Sequence, residues 1–343
     1  MQTLKNFQKQ VELAPYITMK VGGPADYFVT VHTRDEVRAA CDWAAEHQVG
    51  VFVLGEGSNM VVSDEGIHRL VMKVELRGFE PQTPQDGGVL LKVGAGEHWD
   101  DVAKYAVDHD WAGIETMSMI PGTAGAAPVQ NAGAYGQEIA DTLAELEAYD
   151  MHERRFVTLS HADCGFGYRD SRFKHDWAGR FVIVSITLKL STEGPAEPTY
   201  ASLRRWLDER GIARPSLTQI REGVMAVRAR ILPDPSVVPN SGSFFKNPIV
   251  DGGKVAELKA QYPDMPSYEY GDQYKLSAGW ILDQCGFKGQ EKFGFVFWAN
   301  HALVVTNPHG AGYGELQKLV GLVVATARQK FGVTLEPEPL FVK

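Results

Sequence analysis

Cysteine is scarce in this chain. The three present, Cys41, Cys164 and Cys285, lie far apart, with no CxxC pair and no Cys/His cluster. That spacing argues against a disulfide scaffold and a structural zinc site, so no metal is expected. No signal peptide is expected either, because the first residues carry Lys5, Lys9 and Glu12 and no apolar h-region. Apolar runs such as Phe181–Leu190 are too short to span a bilayer. There is no excess of positive charge: 34 Lys and Arg stand against 43 Asp and Glu, a net charge of −9. This argues against a general nucleic-acid or acidic-membrane surface and leaves room for a local basic pocket around an anionic ligand. The expectation is a cytoplasmic protein that handles small molecules, with no membrane, nucleic-acid or obligate protein partner evident. At 343 residues, 44% apolar and 22% charged, the chain suggests two or three globular domains.

A more local absence organises the rest. From Thr116 to Gln137 there is no charged residue, yet the run is too apolar and too small-sided for a solvated linker. Glycines at 122, 125, 133 and 136 let the backbone turn sharply and approach a ligand closely. Such a loop can present several backbone N–H groups in one concavity, which suits a diphosphate without Lys or Arg. A Gly/Ala-rich turn packed in a core and a dinucleotide or flavin cradle both fit this composition.

Along the chain, Ile17–Ala25 is a glycine turn leading into an alternating strand, Asp26–Val31. Thr33–Glu36 has the form of a capping box, and Val37, Cys41 and Ala44 keep helical spacing to about His47. Val51–Leu54 reads as a buried strand. The following Gly55-Glu56-Gly57-Ser58-Asn59 lacks the third glycine and the helix of a Rossmann turn, since the strand pattern Met60–Val62 comes next. Strands are predicted at Leu70–Val74, Val89–Val93 (entered through Asp86-Gly87-Gly88), Leu143–Tyr149, Arg155–Leu159 and Phe181–Leu190. Helices are predicted at Trp99–His109, from Tyr200 to about Arg210, Leu217–Ala229, from Tyr274 through Asp283, and Gly314–Phe331. Strand character is expected at Phe295–Thr306 around Asn300 and His301, and again at Leu335–Glu338. Leu232-Pro233-Asp234-Pro235 breaks the chain as a domain boundary.

Six motifs stand in order: LGEGSN (Leu54–Asn59), IPG…PVQNAGAYG (Ile120–Gly136), FGYRDS (Phe166–Ser171), SGSFFKNP (Ser241–Pro248), AGWILDQCG (Ala278–Gly286) and LEPE (Leu335–Glu338). With these, the chain resembles the UDP-N-acetylenolpyruvoylglucosamine reductase family, in its longer subtype, from about Ile17 to about Glu338. The resemblance implies an α+β protein with a PCMH-type FAD-binding domain split into two α+β subdomains, plus a third α/β domain that binds substrate. The corresponding boundaries are 1–75 for the first flavin subdomain (completed by a C-terminal strand, 334–343), 76–230 for the second, and 231–333 for the substrate domain. It further implies that Ile17-Thr18, Gly55, Glu56, Gly57, Ser58, Asn59, Pro121, Gly122, Thr123, Gly125, Ala126, Val129, Gly133, Ala134 and Tyr135 hold FAD. The flavin loops contain no linking His or Cys, so the FAD is expected to be non-covalent.

The same resemblance makes Arg169, Ser243 and Glu338 the catalytic trio, and Tyr168, Tyr200, Arg228, Lys246, Asn247 and Lys288 contacts to the UDP-sugar. Three positions depart from the family pattern. Ile231 stands where lysine is usual, so Arg228 or Arg230 is the expected diphosphate ligand; Pro339-Leu340 follows Glu338; and Met19 replaces a phenylalanine. The implied reaction passes hydride from NADPH to FAD, and from reduced FAD to C3 of the enolpyruvyl ether. Negative charge then spreads through C2 onto the carboxylate, which a planar guanidinium at Arg169 suits. Ser243 protonates C2. A related flavin oxidase acting on a sugar or alcohol, using dioxygen, is the alternative.

Overall fold

The computed structural model describes residues 6–83 and 88–343, and the turn residues Asp86 and Gly87 lie outside them. The chain divides into two compact units. One comprises residues 1–11, 25–56 and 68–229, the other 12–24, 57–67 and 230–343.

The first unit holds two sheets. Its five-stranded antiparallel sheet runs in the order Arg155–Ser160, Leu143–Asp150, Phe181–Leu190, Val89–Gly94, Phe79–Gln82. Phe181–Leu190 lies in the middle, and nearly every one of its residues is buried. Its apolar run therefore reflects cover on both faces rather than an amphipathic strand. In the second sheet, ordered Gln8–Glu12, Pro24–Val31, Ile67–Val74, Val51–Leu54, the last two pair in parallel. Helix Trp99–Asp108 buries Trp99, Val102, Ala103, Ala106 and Val107, the i, i+3, i+4, i+7 stripe visible in the sequence. Trp99 is 1% exposed and donates its indole N–H to the Met117 carbonyl at 3.1 Å, anchoring the start of the uncharged loop. Thr33 caps helix Arg34–Glu46 by accepting the Glu36 N–H. The return bond from Glu36 lands on the His32 N–H at 2.6 Å, one residue earlier than a capping box puts it.

The second unit is built from a four-stranded sheet, Asn240–Ser243, Val304–Thr306, Phe295–Phe297, Glu291–Lys292, and a three-stranded one, Ile249–Val250, Gln273–Leu276, Ser267–Tyr270. Helices Gly252–Gln261, Ala278–Gln284 and Tyr313–Phe331 accompany them. Leu340–Val342 pairs in parallel with Met60–Val62. Among the described residues no helix is long and apolar enough to cross a membrane.

Three expectations are corrected here. The predicted helix over Tyr274–Asp283 begins only at Ala278, where Ser277 accepts the Trp280 N–H; Gln273–Leu276 is a strand paired on both sides. Phe295–Thr306 is not one strand but two, joined by a turn that holds Asn300 and His301. The terminal strand lies at Leu340–Val342 rather than Leu335–Glu338, because two prolines, Pro337 and Pro339, deny Leu335–Glu338 a continuous ladder; only Pro337 bridges, to Phe245.

Candidate active site

In the first unit, the long loop is closed on itself before any ligand is considered. Buried Glu115 accepts the Gly113 N–H at 2.7 Å and the Gln137 amide N–H at 3.1 Å. The carbonyl oxygen of that Gln137 amide accepts both the Thr116 N–H (2.9 Å) and its hydroxyl (2.7 Å). One carboxylate and one amide thus tie the loop's beginning to its end. The end is a two-residue hairpin: Gly133–Ala134 pairs with Gln137–Glu138, and the turn residues Tyr135 and Gly136 both have positive φ, +50° and +91°. That is the backbone a tight hairpin of this length requires.

Several loop amides are already engaged. Gly122 N–H donates to the Glu56 carboxylate at 2.6 Å, and the amides of Ala124 and Gly125 donate to the carbonyls of Glu97 and Ala95, each at 2.8 Å. The expected array of N–H groups facing one concavity is narrower at these three positions than composition suggested. Glu56 also pairs with His98. Close packing explains two of the glycines: a Cβ on Gly55 would lie 2.7 Å from the Thr123 hydroxyl, and one on Gly125 would lie 2.6 Å from the Ala95 methyl.

The Phe166–Ser171 segment is stitched onto this loop. Asn131, fully buried at φ +47°, donates to the Gly167 carbonyl (2.9 Å) and accepts the Ala140 N–H (3.0 Å). The Ser171 hydroxyl donates to the Val129 carbonyl at 2.6 Å. Gly167 and Asp170 exchange backbone bonds, leaving Tyr168 and Arg169 at the tip of a tight turn. Arg169 adopts φ +52°, a conformation ordinarily left to Gly, Asn or Asp. Its guanidinium donates to the carbonyls of Gly133 (2.5 Å) and Asn131 (3.4 Å), and Lys174 holds the Arg169 carbonyl at 3.0 Å. Arg169 and Tyr168 are thereby fixed against the Gly133 end of the loop. Strain of this kind clusters where function over-determines the backbone.

Beside the hairpin, Tyr135 meets Tyr200 edge-on with ring centroids 4.8 Å apart. Burial raises the Tyr135 phenol above its usual range, against the opposing charge of Arg228. Arg228 donates to the Met119 carbonyl at 3.1 Å, while its Nε is buried without a hydrogen-bond partner. Burial lowers the Arg228 pKa from the usual arginine value despite the nearby Tyr135 and Asp100.

In the second unit, Ser243 is exposed at the end of Asn240–Ser243 and pairs with Val304. The next residues lie along the Glu336–Glu338 segment. Lys246 N–H donates to the Glu336 carbonyl and Glu338 N–H to the Phe244 carbonyl, both at 2.9 Å. Asn59 joins them, its side chain donating to the Glu338 carbonyl at 3.4 Å and its carbonyl accepting the Leu340 N–H at 2.9 Å. Ser243, Lys246, Glu338 and Asn59 are therefore neighbours, although the chain separates Asn59 from Glu338 by 279 residues. Gly57, at φ +64°, has no room for a side chain: a Cβ would stand 2.3 Å from the Tyr16 carbonyl, and Thr18 donates to the Gly57 carbonyl. Asn247 accepts the Ala278 N–H, at the start of helix Ala278–Gln284, at 2.9 Å, and Lys288 stands 3.8 Å from Asp283. Of the residues that organise the first unit's loop, sequence reading missed the locking roles of Glu115, Gln137 and Asn131. The one hint was that Gln130-Asn131 are amide side chains in an otherwise small-residue loop.

Comparison with known proteins gives consistent results. A family profile described as FAD binding domain matches residues 25–158, and one described as UDP-N-acetylenolpyruvoylglucosamine reductase, C-terminal domain, matches residues 234–342. The chain is 40% identical over 334 residues to the UDP-N-acetylenolpyruvoylglucosamine reductase of Ralstonia nicotianae, covering 96% of this chain and 97% of that one. It is 38% identical over 339 residues to the enzyme of that name from Chromobacterium violaceum, covering 98% and 99%. The crystal structure of the reductase from Thermus caldophilus superposes with a TM-score of 0.68 at 25% identity, covering 98% of both chains.

Proposed function

The chain belongs to the UDP-N-acetylenolpyruvoylglucosamine reductase family, and from that premise we propose that Arg169, Ser243 and Glu338 carry its chemistry with NADPH as the hydride source. It is an FAD-dependent oxidoreductase that reduces UDP-N-acetylglucosamine enolpyruvate to UDP-N-acetylmuramate in peptidoglycan precursor synthesis. Its fold is the split, PCMH-type flavin fold with a further domain for substrate. We read residues 1–75 with 334–343, 76–230 and 231–333 as its three parts. The parallel pairing of Leu340–Val342 on Met60–Val62 supports joining 334–343 to the first part, and the unit boundary after Ala229 supports the start of the third, whereas residues 12–24 and 57–67 group with 230–343 rather than with the rest of 1–75.

The residues present fit a flavin dinucleotide. The uncharged loop, with left-handed backbone at Gly122, Asn131, Tyr135 and Gly136, suits a planar apolar ring approached closely by main chain. Near its edge, the buried Nε of Arg228 lacks an acceptor, which suits an anionic group of the cofactor or the substrate. No His or Cys lies within Gly55–Asn59 or Ile120–Gly136, so the proposed binding is non-covalent. FAD, when bound, supplies the hydride that reaches C3 of the substrate.

The chain's own groups do the rest. Arg169 supplies a fixed positive charge for the enolpyruvyl carboxylate, where charge accumulates as C3 is reduced. That Arg169 is set at a strained turn by the Gly133 and Asn131 carbonyls is the observation that carries this role. Ser243 donates its hydroxyl proton to C2, whose carbanionic character makes so weak an acid sufficient. Lys246, three residues further on, is proposed to stabilise the alkoxide. Glu338 donates a hydrogen bond to the substrate carboxylate when it carries a proton, or else orients a water. Tyr168, Tyr200, Arg228, Asn247 and Lys288 contact the nucleotide sugar, with Arg228 taking the diphosphate in place of the lysine absent at Ile231. Replacing Arg169 by lysine tests the reading: turnover should fall by about 10²–10³, the loss typical of one preorganised donor, with the flavin spectrum unchanged. Near-native turnover would make Arg169 a loop residue only.

A further inference from the structure

Met119 immediately precedes Ile120-Pro121-Gly122 and is neither glycine nor asparagine, yet its φ is +59°. Both polar groups of its backbone are gripped. The Met119 N–H donates to Asp100 Oδ1 at 2.6 Å, and its carbonyl accepts from Arg228 at 3.1 Å. Asp100, on helix Trp99–Asp108, is itself held by a two-point fork from Arg221 on helix Leu217–Ile231, with Nη1–Oδ1 at 2.6 Å and Nη2–Oδ2 at 2.9 Å. The same Nη1 donates to the Ser118 hydroxyl at 2.8 Å, and that hydroxyl donates to the Glu115 carbonyl at 2.7 Å. Arg221 is 9% exposed. Burial alone would push the Asp100 carboxyl upward, but the Arg221 hydrogen bond, the Met119 N–H and the charges of Arg221 and Arg228 outweigh it, so it stays below the usual aspartate range and ionised at neutral pH.

A surface ion pair adds little and explains nothing about the backbone. This pair is different because one of its two carboxylate oxygens also binds the peptide N–H of a residue in a conformation that L side chains avoid. We propose that the Asp100–Arg221 pair is a positioning device for the flavin loop. It holds Met119 left-handed and so sets the direction in which Ile120, Pro121 and Gly122 leave, before any ligand is present. The proposal rests on the reading that this loop binds FAD. Asp100 and Arg221 act through Met119 and need not touch the cofactor.

The test is a cycle on the apoprotein, with FAD affinity read from quenching of flavin fluorescence. Asp100→Asn should raise the FAD Kd roughly 10- to 100-fold, the range that follows from losing a charge-assisted hydrogen bond. Arg221→Lys, which keeps the charge and loses the fork, should shift Kd in the same direction. Met119→Gly removes the need for the grip, because glycine takes positive φ freely. It should leave Kd within about threefold of wild type, and the double variant Asp100→Asn/Met119→Gly should return to that value. Once saturated with FAD, every variant should turn over at close to the wild-type kcat. An unchanged Kd in Asp100→Asn, or a double variant that folds by circular dichroism yet stays weak, would overturn the proposal. If Asp100→Asn alone fails to fold, Arg221→Lys and its double variant with Met119→Gly decide by the same criteria. A wild-type apoprotein that binds no FAD would overturn the flavin reading itself, a result distinct from either.

Discussion

The conformation of Arg169 makes a quantitative prediction that separates stability from catalysis. At φ +52° any L side chain carries a left-handed penalty of roughly 1–2 kcal/mol, which glycine escapes. Glycine in turn loses more freedom on folding, by roughly 0.5–1 kcal/mol relative to alanine. Both Arg169→Ala and Arg169→Gly delete the bonds to the Gly133 and Asn131 carbonyls, each worth about 1 kcal/mol net. The alanine variant should therefore lie about 2 kcal/mol below wild type and the glycine variant about 1 kcal/mol below. In urea, with m of about 2–3 kcal/mol/M, the glycine variant should unfold at a midpoint about 0.3–0.5 M higher than the alanine variant. The comparison belongs in the apoprotein, where flavin affinity does not enter. Both variants should lose at least about 10²-fold in kcat. If alanine proves as stable as glycine, Arg169 is not held left-handed. If either turns over within tenfold of wild type, the guanidinium does not stabilise the developing charge.

Arg228→Ala should raise KM for the UDP-sugar while Arg230→Ala does not, as steady-state kinetics will show; unchanged KM in both would move the diphosphate contact to Lys246 or Lys288. Acid precipitation should release yellow flavin into the supernatant, and flavin left in the pellet would refute non-covalent binding. Gly57→Ala should cost at least about 2 kcal/mol by urea unfolding, because its Cβ meets the Tyr16 carbonyl at 2.3 Å on top of a left-handed backbone. A near-neutral change would mean that Tyr16–Thr18 shifts freely.

Elements written in local chemistry were legible in advance. The Thr33 cap, the stripe of Trp99–Asp108 and the continuous apolar run of Phe181–Leu190 each carry their own signal within a dozen residues. So did the uncharged loop, whose small residues and left-handed turns mark a close approach of backbone. The strand Gln273–Leu276 was not legible: it gains its conformation from partners on both sides, and its sequence continues smoothly into the helix after Ser277. Least legible were the side chains that position the site. Asp100 and Arg221 are 121 residues apart and read separately as charged positions on two helix surfaces. Asn131 reads as a loop amide until the Gly167 carbonyl is placed beside it. Long-range polar contacts of this kind leave no periodicity in the chain.

The central claim is that Ser243 delivers the proton to C2, and stopped-flow study of Ser243→Ala tests it most directly. The proposed role gives the hydroxyl no part in flavin reduction, so reduction by NADPH should stay close to the wild-type rate. Reoxidation by UDP-N-acetylglucosamine enolpyruvate should slow by about 10²–10⁴, the cost typical of a lost general acid. Ser243 is exposed and small, so the fold and the flavin spectrum should persist. A variant that reoxidises at the wild-type rate would contradict the account and pass the proton to Glu338 or a bound water.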